Sequence, residues 1–200
     1  MIPSFQALQN QRRESLSHQL EAILTYRSSD FTDFVLEIGC GHGHFLTAFA
    51  AANPQTTCIG IDIASDRIAR AQKKAARSLA PNLHFIRAEA SLFLQAMPAR
   101  SRLSRVFLLF PDPWPKLRHH KHRVLQPPFL TALAARGSPR CQLHFRTDYR
   151  PYFDAGCENV AKSNHWEIID DPWPFEFETV FQGRAPRFDS FTAQLRSTPA

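Results

Sequence analysis

Glycine is scarce in this sequence, seven residues in 200, and three of the seven fall in one five-residue window, 39–43. A chain so sparing with glycine that clusters three together is building a tight turn there. The four cysteines, Cys40, Cys58, Cys141 and Cys157, stand too far apart for paired metal ligands, so no zinc-type site and no metal is expected. Scattered cysteines suit reduced thiols and a cytoplasmic location. No apolar run approaches the roughly 20 residues that a membrane span needs. The N-terminal stretch turns charged at Gln11-Arg12-Arg13-Glu14, unlike a signal peptide, so no membrane partner is expected. Low-complexity tracts and linkers are lacking too. The echo of Asp112-Pro113-Trp114-Pro115 in Asp171-Pro172-Trp173-Pro174 is too short to mark a duplicated unit. The expectation is one domain over residues 1–200, with an N-terminal helical segment (1–30) before the core (31–200).

What is present begins with enough apolar material for a core: 44% hydrophobic residues and 12% aromatic, with Phe alone contributing 17. That excludes wholesale disorder. The formal net charge is +6 and the pI about 9.5. A basic surface makes nucleic acid the first partner to consider, although solubility alone explains an excess of this size equally well.

Periodicity supplies the elements. Residues 4–27 read as an amphipathic helix with Leu8, Leu16, Leu20, Ile23 and Leu24 on one side. Short apolar runs predict strands at 34–38, 57–61, 83–86, 105–110, 142–146, 166–169 and 175–181. Helical patterns lie between them at 43–52, from 65 (with Ser65 as the cap) to about 79, at 91–97, 129–135 and 151–162. The run Arg105-Val106-Phe107-Leu108-Leu109-Phe110 is almost wholly apolar, as a strand covered on both faces must be. Regular alternation of strand and helix means an α/β fold, a mostly parallel sheet with helices on both faces. Ligands of such sheets bind beyond the carboxyl ends of the strands.

The first strand ends in Glu37-Ile38-Gly39-Cys40-Gly41-His42-Gly43. A glycine turn alone is weak evidence for a nucleotide, but this one reads G-x-G-x-G rather than the dinucleotide G-x-G-x-x-G. Glu37 two positions earlier would repel a pyrophosphate and attract the ammonium and sulfonium of S-adenosyl-L-methionine. Asp62 ends the second strand, where a carboxylate can accept both ribose hydroxyls; this serves NAD as well, and a helix cap is the plainer alternative. Glu89 follows the third strand, suited to an adenine edge unless it is only a solvated strand end. Three carboxylates after three successive strands favour the cofactor role. Glu37, Gly39, Gly41, Asp62 and Glu89 are therefore the candidate cofactor residues.

The fourth strand runs into Pro111-Asp112-Pro113-Trp114-Pro115, and then from Lys116 to Arg123 come four Lys or Arg and three His. The prolines can continue neither strand nor helix and so stiffen the loop. Such a loop fixes a carboxylate and an indole with little ordering entropy left to lose on binding. Lys116, Arg118, His119, Lys121 and Arg123 at a cleft mouth suit phosphate contacts, although basic runs are also ordinary solvated surface and Trp114 could be core.

The run Pro-Asp-Pro-Trp-Pro-Lys followed by Arg-His-His-Lys-His-Arg resembles the motif of bacterial tRNA (guanine-N7)-methyltransferases. Leu36 to Gly41, Gly60-Ile61-Asp62, Glu89-Ala90, Thr147-Asp148 and Thr179 match in order over residues 34–182. The resemblance implies a seven-stranded Rossmann-like methyltransferase with S-adenosyl-L-methionine as cofactor and tRNA as partner; the sequence leaves monomer and homodimer both open. The implied reaction is methyl transfer to N7 of a variable-loop guanosine. It implies further that Asp112 joins Glu37, Asp62 and Glu89 at the cofactor and lies closest to the chemistry. Lys116, Asp148, Thr179 and Gln182 would contact the substrate. Gln182 departs from the family's Thr-x-x-Glu by losing the charge.

Three rivals remain open. Amino methyltransferases carry Asp/Asn-Pro-Pro-Tyr/Trp after the same strand, one proline more than Asp112-Pro113-Trp114. A degenerate relative would grip RNA without turnover. A small-molecule methyltransferase would need no cationic tract.

Overall fold

The structure, a computed structural model, describes residues 4–24, 31–177, 183 and 187–196. Its elements are α1 (Phe5–Ile23), β1 (Thr32–Ile38), α2 (His44–Ala52), β2 (Cys58–Asp62), α3 (Ser65–Ser78), β3 (Leu83–Arg87), α4 (Ala90–Ala96), β4 (Ser101–Leu109), α5 (Pro127–Ala134), β5 (Gly137–Thr147), α6 (Arg150–Ala161), β6 (Trp166–Ile169) and β7 (Asp189–Leu195). A short 3-10 turn spans Leu117–His122. The strands form one sheet in the order β3-β2-β1-β4-β5-β7-β6. β1 pairs in parallel with β2 and β4, β2 with β3, and β4 with β5, whereas β7 runs antiparallel to both neighbours. The strand order reverses between β1 and β4, and the switch-point rule places a ligand site at their carboxyl ends.

Alternate residues of each strand serve opposite faces. Phe34, Leu36, Val106 and Leu108 pack with α1, α4, α5 and α6 in one apolar layer, while Val35 and Phe107 join α2 and α3 in the other. Leu16, Leu20 and Leu24, one helical turn apart, seal α1 onto the first layer. Phe45, Phe49 and Phe107 form an edge-to-face cluster in the second, with centroids 4.7 and 5.2 Å from Phe107. Asn82 draws the loop before β2 together, its Nδ2 donating toward the carbonyls of Ala50, Asn53 and Thr56 at 2.9–3.1 Å.

Three sequence expectations need correction. The seventh strand is not at 175–181: described residues 170–177 form no strand, and 178–181 lie outside the described residues. Phe175 and Phe177 instead stack on each other and cover Phe45 and Phe49. β7 takes the place in the sheet, and only Phe191 and Leu195 in it are strongly apolar, which hides its period. Ser65 is the first residue of α3 rather than its cap. Ala64 stands at the N-cap, and its N–H donates to Asp62 Oδ1 at 2.8 Å. Leu8 is 39% exposed rather than part of the buried stripe.

Gly60 shows how tightly the second layer is fitted. A Cβ there would lie 2.6 Å from the Phe85 ring and 3.1 Å from Cys40 Cβ. Gly60→Ala is expected to lose about 1–3 kcal/mol through overpacking, measured by urea denaturation. Phe85→Leu in the same chain should recover part of that loss. A neutral Gly60→Ala would show that the layer has room to yield.

Candidate functional site

At the switch point lies a cleft of about 670 Å³, within the range of small-molecule sites. The ends of β1, β2 and β4 and the loops after them line it. It gathers Glu37, Gly39, Gly41, Asp62, Glu89 and Asp112, all six residues expected at the cofactor. A shallower groove between α1, α3 and β3 carries no carboxylate.

The glycine turn is shaped by its backbone. Gly41 has φ +53, in the left-handed region, and a Cβ there would meet nothing within 4 Å, so the space above it is open to a ligand. Gly43, also left-handed, abuts the Phe85 ring, where a Cβ would collide. Asp62 is 4% exposed and holds this turn together: its Oδ2 accepts from Gly41 N at 3.0 Å, and Arg67 comes within 3.7 Å of the same oxygen. Asp62 does not cap α3, whose N-cap is Ala64 without a side-chain cap; it closes the turn before that helix by accepting from Ala64 N, and it lines the cleft as well.

Glu89 has a role that the sequence expectation missed. It is the N-cap of α4, accepting from Ser91 N at 3.0 Å and Leu92 N at 2.9 Å. It remains exposed on the cleft wall, so a ligand can still use its free lone pairs.

Glu37 is the unusual member. It is 4% exposed, and its Oε2 is buried without any hydrogen-bond partner. Burial, reinforced by the charge of Asp62 and opposed by a backbone hydrogen bond at Leu46, pushes its carboxyl up to about 8. A buried acceptor without a donor costs about 1–3 kcal/mol. A ligand that brings a cationic N–H to this wall relieves that cost; a pyrophosphate aggravates it. The buried carboxyl of Glu37, with one oxygen lacking a partner, and the open space over Gly41 therefore fit S-adenosyl-L-methionine, whose ammonium would favour the ionised form.

The opposite lip is the proline loop. Phe110 and Trp114, on either side of Asp112, are both left-handed (φ 47 and 44), a strain of about 1–3 kcal/mol each that surrounding contacts must hold. Phe110 N donates to Arg146 O at 2.8 Å. Trp114 lies against His119 and His122, with centroids 5.7 and 5.1 Å away, and all but His119 of these three line the cleft.

Arg123, expected among the phosphate contacts, is buried at 4% exposure. Its guanidinium donates to Pro113 O at 2.9 Å, to Pro151 O at 3.4 Å and to His120 Nε2 at 3.0 Å, and it lies over the Tyr152 ring. It pins the loop and is not available to RNA. Lys116, Arg118 and Lys121 are exposed and His119 is half-buried, all outside the cleft. Asp148 is exposed after β5 and does not line the cleft either. Thr179 and Gln182 lie outside the described residues. His42, His44, Arg67 and His122 line the cleft without having been singled out; the signal was their place beside the glycine turn, in the first turn of α3 and in the basic tract.

The profile of a family described as putative methyltransferase matches residues 32–180. The chain is 40% identical over 118 residues to the tRNA (guanine-N(7)-)-methyltransferase of Streptomyces coelicolor, covering 59% of this chain and 44% of that protein. It is 38% identical over 162 residues to the enzyme of the same name from Chromohalobacter salexigens, covering 76% and 65%. The chain thus spans about half the length of the curated relatives it matches. Among solved structures, 16S rRNA methyltransferase KamB superimposes with a TM-score of 0.62 at 19% identity, over 98% of this chain and 97% of that one. TrmN from Thermus thermophilus gives 0.58 at 15% identity, over 92% and 48%. These likenesses establish a Rossmann-like methyltransferase fold.

The state of Glu37 sets a pH dependence. Its folded value lies above the unfolded 4.5, so the ligand-free protein has this contribution in full below 4.5 and loses it as pH rises toward about 8. Affinity for S-adenosyl-L-methionine, read by calorimetry, should rise as pH is raised through about 8 and Glu37 ionises. Glu37→Gln should bind more weakly, with a flat profile. An unchanged profile in the variant would remove Glu37 from the ligand.

Proposed function

The chain belongs to the putative methyltransferase family, and from that premise we propose that it is a tRNA (guanine-N7)-methyltransferase, acting on a variable-loop guanosine in the cytoplasm through one catalytic domain over residues 1–200. The observation that carries this reading is Asp112. It sits on a strained, proline-stiffened loop at the lip of the cleft that also holds Glu37, Asp62 and Glu89, and an exposed basic turn follows it directly.

When bound, S-adenosyl-L-methionine supplies an electrophilic methyl group and leaves as S-adenosyl-L-homocysteine. Glu37 would hold its ammonium, Asp62 its ribose hydroxyls and Glu89 its adenine edge, while Gly39 and Gly41 let it approach the backbone. Guanine N7 offers an in-plane lone pair and carries no proton, so the protein needs no general base. Its task is to bring N7 into line with the methyl group and to favour the positive charge that develops on the ring. The Asp112 carboxylate does the second, and Asp148 could approach the guanine N1 and N2 edge from the end of β5. Lys116, Arg118, His119 and Lys121 contact phosphates outside the cleft, with Thr179 and Gln182 completing the substrate side. The target base must leave its stacked position to reach the cleft.

Incubating the protein with labelled S-adenosyl-L-methionine and unmodified tRNA, then identifying the methylated nucleoside by mass spectrometry, tests this directly. We expect 7-methylguanosine, with Asp112→Ala lowering turnover by roughly 100-fold or more. A methyl group on an exocyclic amine would assign the chain to the amino methyltransferases instead. Full turnover by Asp112→Ala would overturn the role given to that carboxylate.

A further inference from the structure

The cleft is large enough for the cofactor and one base, so the rest of a polyanionic substrate must lie outside it. The basic turn after Asp112 accounts for one side of the mouth. The other side is the start of α3, three residues beyond Asp62, where Arg67 lines the cleft. From there Arg67, Arg70, Lys74 and Arg77 follow at spacings of three and four residues, with Lys73 beside them, so they share one helix face. The stripe extends about 15 Å from the cleft.

What distinguishes this face is its concentration of cations: five lie in the eleven residues from Arg67 to Arg77, with no carboxylate between them. Arg70, Lys73 and Arg77 are exposed, and none of them makes an ion pair among the described residues. Two exposed cations on or next to α6 do make such pairs: Arg150 with Asp154 and Lys162 with Glu158. Cations three and four residues apart repel one another, and Arg67 stands in the first turn, where the positive end of the helix dipole disfavours it. Lys74 Nζ is shielded from water without a hydrogen-bond partner. Its charge also reaches the cleft mouth: burial, then Lys74, then His42 hold His44 below its ordinary value. Arg77 in the last turn suits the helix dipole, but helix stability does not account for the rest of the stripe, whereas phosphate binding does, because neutralised phosphates release counterions.

We propose that the exposed α3 cations Arg70, Lys73 and Arg77 form a second RNA-binding surface, holding backbone phosphates of the tRNA on the side of the cleft opposite the Lys116–Lys121 tract. The surface is sequence-independent; it positions the substrate and does not select the base. The inference rests on the RNA reading above.

The test is the salt dependence of tRNA binding by the full chain, comparing wild type with Arg70→Gln/Lys73→Gln/Arg77→Gln. A control with equal loss of charge, Arg12→Gln/Arg13→Gln/Lys162→Gln, lies on α1 and at the C-cap of α6. The α3 variant should lower the slope of log affinity against log salt by about 3, roughly 1 for each lost phosphate contact. Its KM for tRNA should rise while kcat and cofactor affinity hold, and its melting temperature should change little, since the relief of mutual repulsion offsets the loss of Arg77 from the last turn. The control should leave the slope near that of wild type. An α3 variant indistinguishable from the control would overturn the proposal. If Lys121→Gln alone lowers the slope, the α3 surface is wrong while the RNA reading stands. If wild type binds no tRNA, both fail.

Discussion

One buried guanidinium governs the geometry of the substrate side. Arg123 is closed off from water and has no carboxylate partner among the described residues. A charge in that position is tolerable only when its donors are met by well-placed acceptors. Here the acceptors are Pro113 O in the proline loop, Pro151 O at the start of α6 and His120 Nε2 in the basic turn. The faces of Tyr149 and Tyr152 add cation–π contact. Since an arginine can only donate, His120 must accept through Nε2 and carry its proton on Nδ1. The proline loop, the basic turn that follows it and the start of α6, 28 residues further on, meet at one side chain. The left-handed backbone at Trp114, and with it the aim of Asp112, depends on that junction.

The cofactor side works by the opposite device. Asp62 and Glu89 satisfy local backbone donors, fixing the glycine turn and the start of α4. Glu37 is left with one oxygen, Oε2, buried and unpartnered. Two carboxylates build the wall, and the third stores an unmet demand for a donor that a cationic ligand answers. Rigidity and affinity thus come from the same residue type at three successive strand ends, distinguished by what the backbone offers each. A loop already fixed by Arg123 and a wall already fixed by Asp62 leave little to be ordered when the reactants arrive.

Much of this was legible in the sequence because its signals are local. The apolar run ending at Phe110 marked the central strand, and glycines followed by carboxylates marked the cleft. What escaped depends on contacts between distant segments. Arg123 looks like its neighbours Lys121 and Arg118 in a basic tract; only the fold turns it inward toward Tyr152. Glu89 reads as a strand end because capping depends on where α4 begins. β7 escaped because a strand with antiparallel partners on both sides can bury Thr192 against His144 with few apolar residues of its own. Phe175 and Phe177 look like strand residues because a pair of aromatics two apart has strand period, whether it sits in a ladder or lies across α2.

Arg123→Met keeps most of the apolar stem while removing every donor, so it tests most directly the claim that a pinned loop aims the chemistry. Methyl transfer to tRNA and cofactor affinity should be measured on the same preparation. The account predicts transfer reduced by roughly 100-fold, the scale set by a displacement of about 1 Å, with cofactor affinity reduced far less, because of the six cofactor residues only Asp112 sits on the loop that Arg123 holds. Transfer at the wild-type rate would contradict it.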